Sequence, residues 1–200
     1  MFGIKIHKMP TDIIPVTFGT FFHIYNRGNN RENIFVQPRN YAYFMDLWWK
    51  HTSLIAETWA YCLLRNHFHA LVFIRNREEL PDKNIKEPSQ YFSNFFNAYA
   101  RGVNLATGRT GALFERPFKR IPVDSENYLI RLVVYIHQNP QKHKFIEDFR
   151  DWDYSSYPHL ISNAPTRLQR DRMMDLFGSQ DDFIRIHQEI QPLEDWDDED

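Results

Sequence analysis

The stretch Arg65–Leu71, RNHFHAL, places two histidines on either side of one phenylalanine within an otherwise apolar run. Successive side chains of a β-strand point to opposite faces, so a strand here puts His67 and His69 on one face and Phe68 on the other. Two neutral imidazoles that share a face can bind one divalent ion together. They can equally be two hydrogen-bonded polar residues near the start of a strand, and the pair alone leaves both interpretations open.

The segments around this pair predict a tight antiparallel hairpin. Two apolar, β-prone runs, Ile55–Leu64 and His67–Ile74, are separated only by Arg65 and Asn66. A two-residue connection between such runs is typical of a hairpin. The polar segment that follows, RNREELPDKNIKEPSQ, is expected to be a loop.

Outward from the hairpin, the remaining segments predict further strands and helices. Runs of β-branched and aromatic residues indicate strands, whereas apolar residues at i, i+3 and i+4 indicate helices. These segments are a strand at Thr17–Asn26, helices at Pro38–Ser53 and Ser89–Leu105, a strand at Phe118–Val123, and a third helix capped by Asp124 or Ser125. The order β-α-β-β-α-β-α predicts an α+β fold, a ferredoxin-like split βαβ antiparallel sheet with helices on one side, followed by an additional helix.

Length and composition suit one domain with tails. The 200 residues are 42% hydrophobic and include one cysteine, which excludes an internal disulfide and suits a reducing compartment. No apolar run approaches the ~20 residues of a membrane helix, and the first residues are too short and too polar for a secretion signal. We expect a soluble, cytoplasmic protein with a domain at residues 1–160 and a partly disordered C-terminal extension at residues 161–200.

The net charge of -2 is the sum of a basic body and an acidic C-terminal end. The last seven residues, EDWDDED, carry six of the 26 acids and no base. The rest of the chain sets 24 Lys and Arg against the remaining 20 acids, which gives a charge of +4. A mildly basic body is compatible with nucleic-acid binding, whereas the acidic tail is expected to be solvated and disordered.

The third helix carries two polar residues beside its apolar stripe. In the segment DSENYLIRLVVYIHQNP, the stripe consists of Leu129, Leu132, Val133 and Ile136. Tyr135 and Asn139 lie four residues apart along its margin. Pro140 is expected to end the helix near Asn139, with the Asn139 amide reaching outward. An amphipathic tyrosine and an ordinary helix-ending asparagine would give the same pattern, so a purely structural role stays open here.

Five segments together resemble the single-tyrosine HUH nucleases, and specifically the REP-associated tyrosine transposases and the insertion-sequence single-tyrosine transposases. They are spread over most of the chain and keep the family's order. The segments are FHIYNRG at Phe22–Gly28, LLRNHFHALV at Leu63–Val72, GALFERPFKRIPV at Gly111–Val123, YIHQNP at Tyr135–Pro140 and WDYSSYPHL at Trp152–Leu160. In one departure, Arg65 stands where the family often has proline.

This resemblance implies a role for each residue at a matching position. His67 and His69 would be metal ligands, Asn139 the third ligand, and Tyr135 the nucleophile. The implied activity is metal-dependent cleavage and rejoining of single-stranded DNA near hairpins, through a 5′-phosphotyrosine. Mg²⁺ or Mn²⁺ is the implied ion, although two imidazoles with an amide could also accept Zn²⁺ or Ni²⁺.

The implied partner is single-stranded DNA with a hairpin, such as a REP-like element or an insertion-sequence end. We expect the chain to act as a monomer, as in the REP-associated branch. The residues expected to contact DNA are Arg27, Arg65, Arg116, Lys119, Arg120 and Arg131, with Tyr25, Phe114 and Phe118 available for base stacking. His137 is expected at the surface or on DNA, because helical rotation of about 100° per residue turns it away from Tyr135. His23 belongs to the first strand, which would be central in this fold, so it could approach the site, but we expect it to be a packed structural residue.

Two other functions fit the same fold. A replication-initiator-type HUH nuclease often carries a helicase domain, which 200 residues cannot hold. A domesticated, non-catalytic nucleic-acid-binding protein would bind DNA with a chelator present and without His67. The transposase would instead form a covalent adduct.

Overall fold

The computed structural model describes residues 13–81 and 84–190. The strands are β1 Phe21–Arg27, β2 Ala56–Leu64, β3 His67–Ile74 and β4 Lys119–Val123. They form one antiparallel sheet in the order β2-β3-β1-β4, in which β1 and β3 are the central pair. The predicted α+β, ferredoxin-like fold is confirmed.

The bounds of β1 differ from the prediction at its start. The strand was expected from Thr17 but begins at Phe21, because a turn precedes it. Gly19 adopts a left-handed backbone conformation with φ of 68°, which glycine tolerates without a steric cost. Its N–H donates to the Ile74 carbonyl oxygen at 2.8 Å, so the turn closes against the end of β3.

Two long helices, α1 Pro38–Thr52 and α2 Pro88–Thr107, cover one face of the sheet. The Phe68 ring of β3 points into this layer, 5.0 Å from Phe44 on α1 and 5.9 Å from Phe96 on α2 between ring centroids. Because side chains alternate along β3, His67 and His69 face the other side of the sheet. The face assignment predicted from RNHFHAL therefore agrees with the packing.

The third long helix, α3 Glu126–Lys142, packs against that opposite face. Ser125 caps it, since the Ser125 hydroxyl oxygen accepts a hydrogen bond from the Tyr128 N–H at 3.3 Å. The additional helix therefore completes a second layer, and the sheet lies between α3 on one side and α1 with α2 on the other.

The expectation that α3 ends near Asn139 is wrong. The helix continues through Pro140 to Lys142. A proline inside a helix removes one backbone hydrogen bond, here to the Ile136 carbonyl. Every residue from Tyr135 to Pro140 is buried, and packing of a buried helical turn can outweigh that single loss.

Three shorter helices follow, α4 Tyr157–Ile161, α5 Arg170–Phe177 and α6 Gln180–Glu189. α6 packs on α3 through His187, whose ring centroid lies 5.0 Å from that of His137. The domain division at residue 160 stays a prediction. The acidic tail and the N-terminal residues considered for a secretion signal lie outside the described residues. Across the described ranges, no helix combines the length and hydropathy needed to span a bilayer.

The loop after β1 ties the hairpin turn to the segment before β4. The Gly28 N–H donates to the Asn66 carbonyl at 2.7 Å, and the Asn29 N–H donates to the Leu113 carbonyl at 2.8 Å. A methyl group at Gly28 would overlap the backbone carbonyl of Glu32, which cannot move aside as a flexible side chain could.

We predict that Gly28→Ala lowers the free energy of unfolding by about 1–3 kcal/mol, because overpacking against fixed backbone has that cost. Urea unfolding measures the loss. Gly102→Ala is the matched control, since its added methyl meets the hydroxyl and ring edge of Tyr43, an exposed side chain that can move aside. Equal stability of wild type and Gly28→Ala would contradict the prediction.

Candidate active site

His67 and His69 lie beneath α3 on the same face of β3. Their ring centroids are 5.2 Å apart and their planes nearly perpendicular, at 89°. His69 is buried, whereas His67 is half-buried at the edge of the layer. Two imidazoles that bind one cation through metal–nitrogen bonds of about 2.1 Å have centroids roughly 4.5–5.5 Å apart. The pair is therefore spaced for a shared ion.

Asn139 reaches this pair from α3. Its Oδ1 lies 3.2 Å from Nε2 of His67, and on the other side of the ring Nδ1 of His67 lies 2.8 Å from Oδ1 of Asn66. Both facing atoms are carbonyl oxygens that only accept, and a neutral imidazole has one N–H to give. If Nδ1–H donates to Asn66, then the lone pair of Nε2 faces the Asn139 oxygen.

Two electron-pair donors facing each other suit a cation between them. Two cis ligands of an octahedral ion with bonds of about 2.1 Å are about 3.0 Å apart, close to the 3.2 Å between His67 and Asn139. Asn139 is fully buried, and its Nδ2 finds no hydrogen-bond partner within the described part of the chain. His67, His69 and Asn139 therefore fit a divalent ion.

The ligand set is incomplete without oxygen atoms from outside the protein. Among the described residues, no group of three or more His, Cys, Asp or Glu side chains is placed to hold an ion. An ion at this position would rely on the Asn139 amide oxygen and on water or phosphate oxygens. Such oxygen ligands are the ones that Mg²⁺ and Mn²⁺ accept readily.

Tyr135 lies one helical turn before Asn139 and beside the same histidines. Its ring centroid is 5.5 Å from that of His69, edge to face, and the Lys142 ammonium nitrogen lies 5.2 Å from the Tyr135 centroid. The side chain is fully buried, with 0% exposure. The structure thus places the predicted nucleophile next to the predicted ligands, with its side chain shielded from solvent.

His23 on β1 is part of this cluster, a position that the sequence left open but did not favour. It is buried, as expected, but its Nε2 lies 2.9 Å from Nδ1 of His69. Its ring also stacks on Tyr25, with centroids 4.7 Å apart. The signal was present in the sequence pattern, because β1 adjoins β3 in a ferredoxin-like sheet and His23 shares a strand face with Tyr25.

The expected position of His137 at the surface or on DNA is wrong. His137 is fully buried, with Nδ1 2.8 Å from Nε2 of His187 and Nε2 2.7 Å from the Ser156 hydroxyl. Helical rotation does turn it away from Tyr135, but that direction leads to α6 and the segment before α4, not to solvent. Burial, with a smaller effect of His187, lowers the pKa of His137 well below its usual value.

The basic residues predicted to contact DNA divide into two groups. Four are exposed, namely Arg65, Arg116, Lys119 and Arg131. Arg27 forms an ion pair with Glu115 at 2.6 Å, and the guanidinium of half-buried Arg120 lies 4.0 Å above the Phe118 ring. Burial lowers the pKa of Arg120. Lys119 pairs with Tyr25 across β1 and β4, which places it on the face of the histidine cluster.

The aromatic residues proposed for base stacking need a correction. Phe114 and Phe118 are buried, with ring centroids 5.0 and 5.2 Å from that of Phe96 on α2. They belong to the aromatic core on the far side of the sheet and cannot stack on bases. Tyr25 is half-buried and lies 5.5 Å from the His69 centroid, stacked on it.

Comparison with known proteins finds one relative in sequence and one structural neighbour, while no protein-family model matches the chain. A Haemophilus influenzae protein named "Putative REP-associated tyrosine transposase" is 27% identical over 103 residues, which are 50% of this chain and 58% of that protein. A solved structure of a REP-associated tyrosine transposase bound to a REP hairpin superposes with a TM-score of 0.57 at 19% identity. It covers 78% of this chain and 88% of its own, a likeness of fold. The resemblance inferred from the sequence is confirmed.

Proposed function

We propose that this chain, which resembles the REP-associated tyrosine transposases in sequence and in fold, cleaves and rejoins single-stranded DNA beside a hairpin. One observation carries the proposal. Tyr135 and Asn139 on α3 meet His67 and His69 on β3 at one place, although more than sixty residues separate the two segments. In the inferred reaction Tyr135 would be the nucleophile, and His67, His69 and Asn139 would hold Mg²⁺ or Mn²⁺.

When bound, a divalent ion would polarise the non-bridging oxygens of the scissile phosphate. The chain's own contribution to binding is the arrangement of His67, His69 and Asn139. Asn66 fixes the His67 ring through the contact at Nδ1, which keeps Nε2 directed at the Asn139 oxygen. Such outer contacts set the tautomer and orientation of a ligand histidine.

Tyr135 would attack the phosphorus through its phenolic oxygen. The new bond joins that oxygen to the 5′ phosphate, the bond from phosphorus to the 3′ oxygen breaks, and the 3′ oxygen leaves as a hydroxyl after taking up a proton. The phenolic proton is released to solvent or a nearby base. The Lys142 ammonium, 5.2 Å from the ring centroid, would favour the negative charge on the phenolic oxygen before attack. Rejoining is the reverse displacement by a 3′ hydroxyl.

Burial of Tyr135 requires an opening step before this attack. A side chain with 0% exposure cannot meet a phosphate. The half-buried neighbours Tyr25 and Lys142 lie at the edge of the cluster. We propose that the Tyr135 side chain turns out past these two neighbours when DNA binds, so that the substrate itself completes the site.

DNA would approach along the face that carries the histidines. Lys119 is exposed on that face, and Arg65 is exposed at the hairpin turn next to His67. Cations in these positions suit phosphate groups. The structural neighbour is bound to a REP hairpin, and we propose a hairpin-bearing single strand as the substrate here, handled by a monomer in the cytoplasm.

The test uses hairpin oligonucleotides with single-stranded flanks, incubated with the full chain and Mn²⁺ or Mg²⁺. We predict a covalent protein–DNA adduct on denaturing gels, because the phosphotyrosine bond survives denaturation. The adduct should disappear with a chelator and in His67→Ala. Absence of an adduct across hairpins of varied sequence and flank, with DNA binding intact, would overturn the proposal.

The complete burial of Tyr135 favours a second candidate, a nucleic-acid-binding protein without catalysis. Its fully buried phenol would then be part of the core. This alternative predicts that hairpin binding is unchanged by a chelator and by His67→Ala, and that no adduct forms. The same experiment therefore separates the two functions.

A further inference from the structure

His23 on β1 contacts His69 on β3, one member of the proposed ligand pair. Nε2 of His23 and Nδ1 of His69 are 2.9 Å apart, and both residues are buried. We propose that His23 is a positioning residue that holds His69 in the tautomer able to bind a divalent ion. This inference rests on the proposed function, because it concerns the same ion.

The two facing nitrogens restrict the tautomers that His23 and His69 can adopt together. One of them must carry the proton that the other accepts. If His23 donates, then His69 carries its own proton on Nε2 and that nitrogen cannot bind a cation. If His69 donates from Nδ1, its Nε2 presents a lone pair. Only the second arrangement is compatible with a metal ligand, and it requires an acceptor at the position of His23 Nε2.

The surrounding rings hold this pair in one orientation. The planes of His23 and Tyr25 differ by 24°, those of Tyr25 and His69 by 17°, and those of His23 and His69 by 23°. The Tyr25 ring is thus nearly parallel to both imidazoles, which meet edge to edge through their facing nitrogens. The Tyr25 ring restricts rotation of the His69 ring, so that the hydrogen bond and the packing fix both its tautomer and its plane.

A purely structural role accounts less well for an imidazole here. A buried polar ring costs free energy unless its polar atoms are satisfied, and an aliphatic residue would fill the space between β1 and α3 at lower cost. One of the two ring nitrogens of His23, Nε2, lies 2.9 Å from a proposed ligand. Removal of a residue that orients a metal-binding histidine typically reduces metal affinity by about 10–100-fold.

The experiment compares His23→Leu, which removes the acceptor, with His23→Gln, whose side-chain oxygen can accept from His69. Long-range ¹H–¹⁵N spectra of the metal-free chain report the protonated nitrogen of each histidine. We expect His69 to be protonated at Nδ1 in wild type and His23→Gln, and to lose this single tautomer in His23→Leu. Mn²⁺ titration followed by electron paramagnetic resonance should show affinity reduced by about 10–100-fold in His23→Leu and largely retained in His23→Gln.

His51→Gln on α1, in the layer on the other side of the sheet, is the matched control for loss of a histidine. Thermal unfolding shows whether each variant is folded, and His23→Gln keeps the test valid if His23→Leu is not. Wild-type Mn²⁺ binding that His67→Ala abolishes and His23→Leu leaves unchanged would overturn the positioning role alone. Wild-type His69 protonated at Nε2 would also overturn it. No Mn²⁺ binding and no adduct in wild type would overturn both proposals.

Discussion

Tyr135→Phe is expected to abolish covalent attachment to DNA while leaving the fold and hairpin binding in place. The substitution removes one hydroxyl and keeps the ring, which packs edge to face on His69 with centroids 5.5 Å apart. Loss of the nucleophile in a covalent mechanism removes the step itself, so strand cleavage should fall by at least about 10³-fold. Denaturing gels measure the adduct, and gel-shift titration measures binding.

Tyr128→Phe is the matched control because it removes a hydroxyl from the same helix, two turns earlier. Burial raises the pKa of Tyr128 to about 12, so its phenol stays protonated and is a poor nucleophile. This variant should form adduct at the wild-type rate. An adduct that persists in Tyr135→Phe would assign the chemistry to another residue and remove the basis of the proposed mechanism.

The sheet could be predicted from the sequence because its determinants are local. Alternation along RNHFHAL fixes which side chains share a face, and two residues between apolar runs leave room only for a tight turn. The observed β3, His67–Ile74, has the predicted bounds. Order of elements then selects the ferredoxin-like topology, since few arrangements of β-α-β-β-α-β close one sheet.

Individual side-chain contacts could not be predicted in the same way, because they depend on strand register and on how the helices pack. His23 and His69 meet through the register of two strands, and His137 meets His187 across fifty residues. A helical pattern shows only that His137 points away from Tyr135; what lies in that direction depends on where α6 packs. Phe118 was misassigned for the same reason, because its burial depends on α2, which supplies Phe96.

Acid pH should destabilise the chain through His137 and His187, the buried pair between α3 and α6. Burial lowers the pKa of His187 to about 4. The rings are satisfied when neutral, with Nδ1–H of His137 donating to His187 and Nδ1–H of His187 donating to the Phe183 carbonyl at 2.7 Å. Protonation of either neutral imidazole breaks one of these hydrogen bonds and places a positive charge among aromatic rings.

The direction in which stability changes with pH follows from the protons that each state binds. In the unfolded chain these histidines have pKa values near 6.5, so between about pH 6.5 and pH 4 the unfolded state binds more protons than the folded state. Stability is therefore complete above pH 6.5 and is lost as pH falls, because the unfolded chain takes up protons that the folded chain excludes. Urea unfolding between pH 7.5 and pH 4.5 measures this slope.

The His187→Gln variant distinguishes the pH effect of the histidine pair from that of the Asp and Glu side chains, which also titrate in this range. Its side-chain oxygen can still accept from Nδ1–H of His137, but glutamine takes up no proton. The variant should be somewhat less stable at pH 7.5 and should show a shallower loss toward pH 4.5 than wild type, because one of the two protons is gone. Because His137 lies between Tyr135 and Asn139 on α3, protonation should also loosen the helix that carries both residues. Parallel curves for wild type and His187→Gln would show that the pair does not set the acid stability.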